Sequence, residues 1–461
     1  MKTDARDQDM GRVPLESRVL IVAPSYFCLG GVATWLDYLL PGLESHGWEP
    51  VLGLVSGPKY HLASRYLAKH PANQVREIYC EWGTREERIH AVRSAIRATN
   101  ASAVLSVNIP DAMLAAVIER RRRPVRAVMT CHGTEPELFQ DMKILGSSLD
   151  AVICTNRLAC ALARVLGGVP ENRVFHAPYG TVVPTEIPRR QREGKLIIGY
   201  SGRIDEPQKR ISDLVRIAVQ LRSAGIQFIV RIAGTGPAEE QLKRLIAEHK
   251  LENCFEFLGF VAPNSMDTQF YQKCDVLLVT SYWETGPIVV WEAMANGLPV
   301  VSSKYIGSGL ERLLQDDENC LLFEIGDAEQ AALQLQRFAQ DVLLWNQIRE
   351  RAYAFALDRL SQSVSVENWH RILLNIQNVA PLKPSSVNGD SERYGGSLMV
   401  SGLQVQFRNQ IRRMLGRKPM DCGSGGEWPH TLSSRSQAES GFWNTARELD
   451  QQSEIEESKS R

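Results

Sequence analysis

The sequence predicts an α/β protein with two parallel-sheet domains in tandem. Short, continuous apolar runs such as residues 17–24 are typical of parallel strands that are buried on both faces. Helix-compatible stretches separate these runs, and strands that alternate with helices indicate βαβ units. The alternation stops once, at the polar, proline-bearing segment 184–195, and then starts again. With 461 residues the chain is long enough for two domains that each have a core.

The first domain is expected over residues 17–185, after a flexible polar leader at residues 1–16. Its first strand precedes the glycine pair Gly30-Gly31 and a helix from Val32 to about Leu43. The further strands are expected at Pro50–Val55, Ala103–Val107, Arg126–Cys131, Ala151–Cys154 and Arg173–His176, with helices that include Glu86–Ala98 and Asp111–Arg121.

The second domain is expected over residues 195–360, after the linker at 184–195. Its strands are expected at Leu196–Tyr200, Phe228–Ala233, Phe255–Phe257, Val276–Thr280, Val300–Ser302 and Cys320–Phe323. Its helices are expected at Ser212–Ala224, Glu239–His249 and Asp327–Ala339. A further helix at residues 363–377, within a segment 361–380, is expected to cross back to the first domain.

The stretch Ser281–Val301 is the most informative part of the second domain. After a strand-like run it carries Gly286-Pro287, then an amphipathic helix to about Asn296. The first N–H groups of such a helix form an anion site. Glu284 and Glu292 frame this site, and their spacing of about two helical turns lets both face one crevice. The alternative is two solvent-exposed carboxylates, which is what most glutamates are.

Two cations follow the first strand of the second domain. Arg203 offers a planar fork to phosphate oxygens and Lys209 a mobile charge, and together they would neutralise a departing diphosphate. An ordinary charged loop is the alternative. The turn GTGP at 234–237 lies before a helix, but close packing of helix on strand explains Gly234 equally well. Because it is not GxGxxG, a dehydrogenase is disfavoured.

Two features of the first domain also follow strands. Gly30-Gly31 would let the backbone approach a ligand closely, although a tight turn explains a glycine pair as well. His132 stands at the carboxyl end of the strand 126–131, where a histidine is either a structural residue or part of a ligand site.

Charge and cysteine content restrict the class of protein. The 53 Lys and Arg residues equal the 53 Asp and Glu residues in number, so no global field favours nucleic acid. The nine cysteines are odd in number, scattered, and without metal-type CxxC spacing, which indicates reduced thiols in a cytosol. We found neither a signal peptide nor an 18-residue apolar run, so the protein is expected to be cytoplasmic or peripheral at the inner face of the membrane.

Two basic elements could contact a membrane. Arg120–Arg123 with Arg126 form a cluster that is either a solvated turn or a contact for anionic lipid headgroups. Residues 381–461 are expected to be a largely disordered, low-complexity tail with one short amphipathic helix at about 401–416. That helix would dock on the protein body or on a membrane.

The order of these motifs resembles the retaining family 4 glycosyltransferases. A glycine pair, then HG, GR…K, GTGP and E-x7-E with EAMANGLPVV follow one another as in that family, over roughly residues 17–378. The resemblance implies the GT-B architecture, which has two Rossmann-like domains that face a central cleft. It also implies a nucleotide-diphosphate sugar as the donor substrate, with no cofactor and no required metal.

The resemblance further implies roles for matching residues. Arg203 and Lys209 would hold the donor diphosphate, Glu292 would bind the nucleotide ribose, and Glu284 would lie against the donor sugar or its phosphate end. His132 would approach the phosphate and sugar from the first domain. The remaining donor-binding residues implied are Gly30, Gly31, Gly234, Phe260 (near the base), Gly286, Pro287 and Ile288.

Three departures from the family pattern leave these charged groups in place. Thr285-Gly286-Pro287 replaces the frequent Gly-Phe-Gly, and Lys209-Arg210 replaces Lys-Gly. The first domain ends in PYGTVVP, without the usual Asn before Gly180. The first departure leaves open the shape of the sugar pocket.

The sequence therefore predicts a retaining, hexosyltransferase-type enzyme. It would move a sugar from a nucleotide sugar to a saccharide or lipid-linked acceptor, in cell-surface polysaccharide synthesis. The alternative is a catalytically inactive scaffold that uses its C-terminal tail for interaction. A sugar-nucleotide epimerase is a third hypothesis, which the E-x7-E spacing disfavours.

Overall fold

A computed structural model describes residues 17–26, 30–81, 83–189, 194–383, 407, 410–416, 428–433 and 441–460. The leader at residues 1–16 lies outside these ranges. The chain divides into two compact units, and each contains one parallel sheet. The predicted α/β class with two Rossmann-like domains is confirmed.

The first unit contains a seven-stranded sheet in the order β3-β2-β1-β4-β5-β6-β7, all parallel. Its strands are β1 (Arg18–Pro24), β2 (Glu49–Ser56), β3 (Val75–Tyr79), β4 (Ala103–Val107), β5 (Arg126–Cys131), β6 (Ala151–Cys154) and β7 (Val174–His176). The connecting helices are α1 (Gly31–Ser45), α2 (Ala63–Leu67), α3 (Arg85–Thr99), α4 (Pro110–Glu119), α5 (Pro136–Leu145) and α6 (Arg157–Val165).

The edge strand β3 was absent from the sequence prediction. Only Ile78 of its five residues is buried, so it has no continuous apolar run. The central strands β4 and β5 are buried at every position, which is why their boundaries were predictable.

The first unit includes a segment from late in the chain. It comprises Met1–Thr155, Ala159–Ala177 and Val366–Phe442. The helix α14 (Gln362–Asn378) groups with this unit from Val366 onward. Within the unit, the indole Nε1 of Trp48 donates to His370 Nδ1 over 3.0 Å.

The second unit contains a six-stranded parallel sheet in the order β10-β9-β8-β11-β12-β13. Its strands are β8 (Leu196–Ser201), β9 (Phe228–Ala233), β10 (Phe255–Gly259), β11 (Val276–Val279), β12 (Val300–Ser303) and β13 (Leu321–Phe323). Its helices are α7 (Asp213–Ser223), α8 (Glu239–Glu248), α9 (Met266–Gln269), α10 (Ile288–Ala295), α11 (Ser308–Glu311), α12 (Ala328–Gln340) and α13 (Val342–Arg359).

The predicted linker is anchored to the second unit. Residues from Pro178 onward group with this unit, earlier than the boundary expected near residue 185. The carbonyl of Pro184 accepts from the Tyr353 hydroxyl over 2.6 Å, and the carbonyl of Pro188 accepts from Arg349. These contacts with α13 hold a polar segment whose described residues 184–189 form no strand or helix.

The C-terminal region adds elements that we did not predict. A helix, α15 (Phe442–Ser460), groups with the second unit from Trp443 onward. The segment 428–433 belongs to the first unit, where the buried Trp428 indole donates to the carbonyl of Ser56 over 3.0 Å. Of the predicted helix at 401–416, residues 401–406 and 408–409 lie outside the described ranges, and residues 410–414 are helical.

The basic cluster is not simply a solvated turn. Arg120 is buried, forms an ion pair with Asp150 and donates to the carbonyls of Val125 and Ser148. Arg126 is also buried and donates to backbone carbonyls between Ile376 and Val379. Both alternatives were wrong for these two arginines, because sequence alone does not reveal carbonyls and carboxylates that come from other elements.

Among the described residues, no helix combines the length and the apolar character that a bilayer crossing requires. The seven cysteines in the described part of the chain are all free thiols.

Candidate functional site

Most of the predicted donor residues lie in loops at the carboxyl edge of the second sheet. Arg203 and Lys209 follow β8, Gly234 follows β9, Phe260 follows β10 and Glu284 follows β11. Parallel sheets of this type bind ligands at this edge, because every strand ends there and the loops and helix starts converge. The fold therefore brings these loops to one edge of one unit.

Lys209 and Glu284 form the central ion pair of this edge. Lys209 Nζ lies 2.5 Å from Glu284 Oε1, and the Ser281 hydroxyl donates to the same oxygen over 2.5 Å. Glu284 is buried, with 6% of its surface exposed. Charge-assisted hydrogen bonds of this kind are short and fix the geometry of both partners. Lys209 is itself held, because the Thr280 hydroxyl donates to its carbonyl over 2.7 Å.

Arg203 is the exposed cation of the same loop. Its side chain is 59% exposed, forms an ion pair of 2.6 Å with Asp205 and donates to Gln208 over 3.2 Å. Exposed ion pairs contribute little free energy. An incoming diphosphate could therefore replace Asp205 as the partner of Arg203 at low cost.

Glu292 lies on α10 and is half-buried, whereas Glu284 is buried. Its Oε2 accepts from the Tyr271 hydroxyl over 2.5 Å. The pKa of Glu292 is raised to about 6, because burial and, to a smaller degree, the nearby Asp267 raise it more than the hydrogen bond from Tyr271 lowers it. The Glu292 carboxylate can accept hydrogen bonds from ligand hydroxyls.

The start of α10 requires its glycine. Gly286 has φ +105°, a conformation that side-chain-bearing residues rarely adopt, and Pro287 is the N-cap residue. Proline has no side-chain group that could cap the helix, so no side chain at the N-cap position accepts from the first backbone N–H groups of α10, which begins at Ile288.

The predicted amphipathic character of α10 was wrong. Five of its eight residues are buried: Val290, Trp291, Ala293, Met294 and Ala295.

Gly234 is explained by packing. Its φ is +147°, and a Cβ there would lie 1.9 Å from the carbonyl oxygen of Gly202 in the neighbouring loop. Close packing therefore explains why residue 234 of the GTGP turn is a glycine. The same turn also lies at the carboxyl edge of the sheet, where a ligand would bind. Phe260 is 57% exposed, so its ring is accessible.

The three predicted site residues of the first unit, Gly30, Gly31 and His132, have different surroundings. Gly30 is extended, and a Cβ there would meet no described atom within 4 Å, so packing does not demand glycine. Gly31 begins α1. His132 is buried, with Nε2 2.9 Å from Thr130 Oγ1 and its ring 4.7 Å from that of Trp35. Burial lowers the pKa of His132 to about 3, so the imidazole is neutral. It can exchange hydrogen bonds with a ligand but supplies no positive charge.

Sequence reasoning missed Ser281 and Tyr271, which hold the two glutamates. Ser281 could have been found from its spacing, three residues before Glu284. Tyr271 could not, because it lies 21 positions before Glu292 on another element. Among the described residues, no group of three or more His, Cys, Asp or Glu side chains is placed to hold a metal ion.

Comparison with known proteins shows what this region of the chain resembles. Residues 185–355 match the family described as "Glycosyl transferases group 1". The match covers most of the second unit and does not extend into the first. The matched segment contains all the second-unit residues discussed above.

Named relatives resemble about a quarter of the chain. The putative colanic acid biosynthesis glycosyltransferase WcaL of Escherichia coli is 35% identical over 127 residues, which is 26% of this chain. The amylovoran biosynthesis glycosyltransferase AmsK of Erwinia amylovora is 36% identical over 126 residues, also 26% of this chain. The matched part spans only 30% of the length of each relative.

A solved structure resembles more of the chain. The Anabaena protein Alr3699/HepE, in complex with UDP and glucose, matches with a TM-score of 0.64 at 18% identity. The match covers 77% of this chain and 99% of the Anabaena chain. At this identity the likeness shows the fold, which is that of the GT-B glycosyltransferases.

Proposed function

We propose that the protein is a retaining glycosyltransferase that moves a sugar from a nucleotide-diphosphate sugar to a saccharide or lipid-linked acceptor. The observation that carries the proposal is the buried Lys209–Glu284 pair, beside Arg203 and the start of α10, at the ligand edge of the sheet. The names of the relatives, from colanic acid and amylovoran synthesis, support an acceptor that belongs to a cell-surface polysaccharide.

In this proposal the bond between the sugar C1 and the phosphate oxygen breaks, and the acceptor oxygen bonds to C1. The two electrons of the broken bond stay with the diphosphate. That charge would be stabilised by Lys209, by Arg203 and by the first N–H groups of α10. Such electrostatic stabilisation is usually the largest contribution to the rate enhancement of an enzyme. The acceptor proton would pass to the departing phosphate oxygen.

Retention of configuration follows from front-face attack in this scheme. A double displacement would need a carboxylate nucleophile at C1. Glu284, the candidate at the sugar end, has its Oε1 bonded to Lys209 and Ser281, which lowers its nucleophilicity. We assign Glu284 to sugar or phosphate binding and Glu292 to the ribose hydroxyls.

Two further expectations belong to this proposal. Because two cations and a helix start neutralise the diphosphate, no metal ion is needed. Peripheral contact with an anionic membrane surface would bring the enzyme to a lipid-linked acceptor. The exposed apolar side chains of Phe407, Ile411, Met414 and Leu415, next to basic residues in the sequence, support this contact.

The decisive experiment combines calorimetry with a nucleotide-release assay. Purified protein is titrated with UDP, GDP and ADP, and release is then measured with the matching donor sugars, with and without EDTA. We expect one nucleotide to bind and release to survive EDTA. Lys209→Met should lower kcat on the order of 100-fold, because a charge on the leaving group loses its partner.

Lys243→Met is the matched control. Lys243 forms surface ion pairs with Glu239 and Glu240 on α8, so its loss should leave kcat unchanged. If no nucleotide binds, the donor assignment is refuted. If a nucleotide binds but none is released from any donor sugar, the inactive scaffold is favoured. Equal kcat values for the two variants would show that Lys209 takes no part in the transfer step.

A further inference from the structure

The helix α15 contacts both loops that surround Glu284 within the second unit. Trp443, Arg447 and Asp450 follow the spacing i, i+4, i+7, so they share one face of the helix. Ala446 lies on the same side and is fully buried. The helix is therefore seated on the unit through a defined face.

Asp450 binds the turn at the start of α11. Its Oδ2 accepts the backbone N–H of Gly307 over 2.8 Å, and its Oδ1 accepts that of Leu310 over 2.9 Å. The carboxylate is 7% exposed. A buried carboxylate is costly unless hydrogen bonds satisfy it, and here both oxygens are satisfied by backbone groups of one turn. Asp450 thus caps α11 from a distant part of the chain.

The Gly307 turn lies directly against Glu284. Gly307 has φ +111°, and a Cβ there would lie 2.6 Å from the carbonyl oxygen of Glu284. The N–H of Glu284 in turn donates to the carbonyl of Ile306 over 3.2 Å. Displacement of this turn would therefore displace the backbone that presents the Glu284 carboxylate to Lys209.

The other end of the helix holds the residues that precede Glu284. The Trp443 ring packs on Trp283 with centroids 4.6 Å apart, and it lies 6.3 Å from the Tyr282 ring. Arg447 donates to the Tyr282 hydroxyl. The helix thus contacts the chain just before Glu284 in sequence and the turn behind Glu284 in space.

We propose that α15 is part of the donor site, with Asp450 as a positioning residue that fixes Glu284 through the Gly307–Leu310 turn. Trp443 and Arg447 complete the support by holding Tyr282-Trp283. This inference rests on the proposed glycosyl transfer for its effect on rate. Its structural part, that Asp450 orders the turn, is independent of activity.

The first test compares Asp450→Asn with Glu448→Gln, which removes an exposed carboxylate from the same helix. We expect Asp450→Asn to lower kcat roughly tenfold to 100-fold, since small misplacements of reacting groups cost that much. The nucleotide Kd should stay within about twofold, because the two hydrogen bonds of Asp450 go to the Gly307–Leu310 turn and act on Glu284, whereas Glu292 and Lys209 lie on other elements. Glu448→Gln should match the wild type in both. A Kd that weakens in parallel with kcat would mean general loss of structure and would overturn the proposal.

Two further measurements keep the proposal falsifiable. Amide hydrogen exchange at Gly307 and Leu310, without donor, should be faster in Asp450→Asn and unchanged in Glu448→Gln. Trp443→Phe should retain kcat and Trp443→Ala should lose it, since a ring restores the packing on Trp283. Unchanged exchange, or a Trp443→Ala variant with the kcat of the wild type, would refute a positioning role. If the wild type binds no nucleotide, the proposed function fails, and the exchange result still decides whether Asp450 holds the turn.

Discussion

At the scale of single residues, two glutamates of one motif have different electrostatic settings. Glu284 is neutralised by Lys209, whereas Glu292 has a tyrosine hydroxyl and a pKa raised to about 6 by burial. Their spacing was visible in the sequence and so was the cation loop. The pairing of Lys209 with Glu284, across 75 positions, was not, because sequence distance carries no information on which loops meet.

The raised pKa of Glu292 predicts a gain in stability for Glu292→Gln. A carboxyl whose folded pKa is raised stabilises the fold fully below its unfolded pKa, and that stability is lost as pH rises through about 6. Glutamine removes the cost of ionisation and still accepts from Tyr271. We expect a free energy of unfolding about 2 kcal/mol higher than wild type at pH 8 and no difference near pH 4.

Denaturant unfolding across pH 4–8 checks this prediction, with the exposed Glu248→Gln on α8 as control. The same Glu292→Gln variant should bind nucleotide more weakly, because an amide satisfies ribose hydroxyls less well than a carboxylate. A variant that is less stable than wild type at pH 8 would contradict the burial argument.

At the scale of elements, the loops of the second sheet are held together by backbone contacts at glycines. Gly234 meets Gly202, Gly236 meets the carbonyl of Ile204, and Gly307 meets Glu284. These contacts link the loops after β8, β9, β11 and β12. Rigid loops of this type can keep charged groups in place before a ligand arrives.

Gly234→Ala should disrupt this loop contact. The added Cβ would lie 1.9 Å from the Gly202 carbonyl oxygen at a φ of +147°, so the backbone must move. We expect a loss of unfolding free energy of about 2 kcal/mol or more, together with weaker nucleotide binding. Gly225→Ala is the matched control, with φ +75° but no described atom within 4 Å of its Cβ. Similar losses in both variants would show that backbone strain alone, and not the loop contact, is responsible.

Predictability differed between kinds of element. Buried strands such as β4, β5 and β9 were found with their boundaries, because an apolar run between turns has few alternatives. The exposed edge strand β3 had no such signal. The helix α10 was predicted to be amphipathic, yet five of its eight residues pack into the core of the unit.

At the scale of the whole molecule, the C-terminal region contributes to both units. Trp428 packs in the first unit and Trp443 in the second. The polar composition around these residues predicted neither, since isolated aromatic residues in a low-complexity stretch give no periodic pattern. The order of motifs, by contrast, was enough to predict the GT-B fold.

The proposed membrane contact is tested on the full chain. Changing Phe407, Ile411, Met414 and Leu415 together to Ser should lower co-sedimentation with vesicles rich in phosphatidylglycerol by roughly tenfold, because buried apolar area is lost. A double change of Val342 and Leu343 to Ser is the control, since these residues are also exposed but lie on α13. Equal binding by the two variants would exclude the 407–415 segment as an anchor.

The division of the first unit into separate chain segments has a consequence for synthesis on the ribosome. Its sheet is complete by residue 176, but Trp35 and Trp48 pack against Trp369 and His370, which are translated almost 200 residues later. The packing of the first unit therefore stays incomplete, with part of its apolar surface uncovered, until the whole second sheet has been translated. A chaperone that recognises exposed apolar side chains would have its binding surface there during elongation.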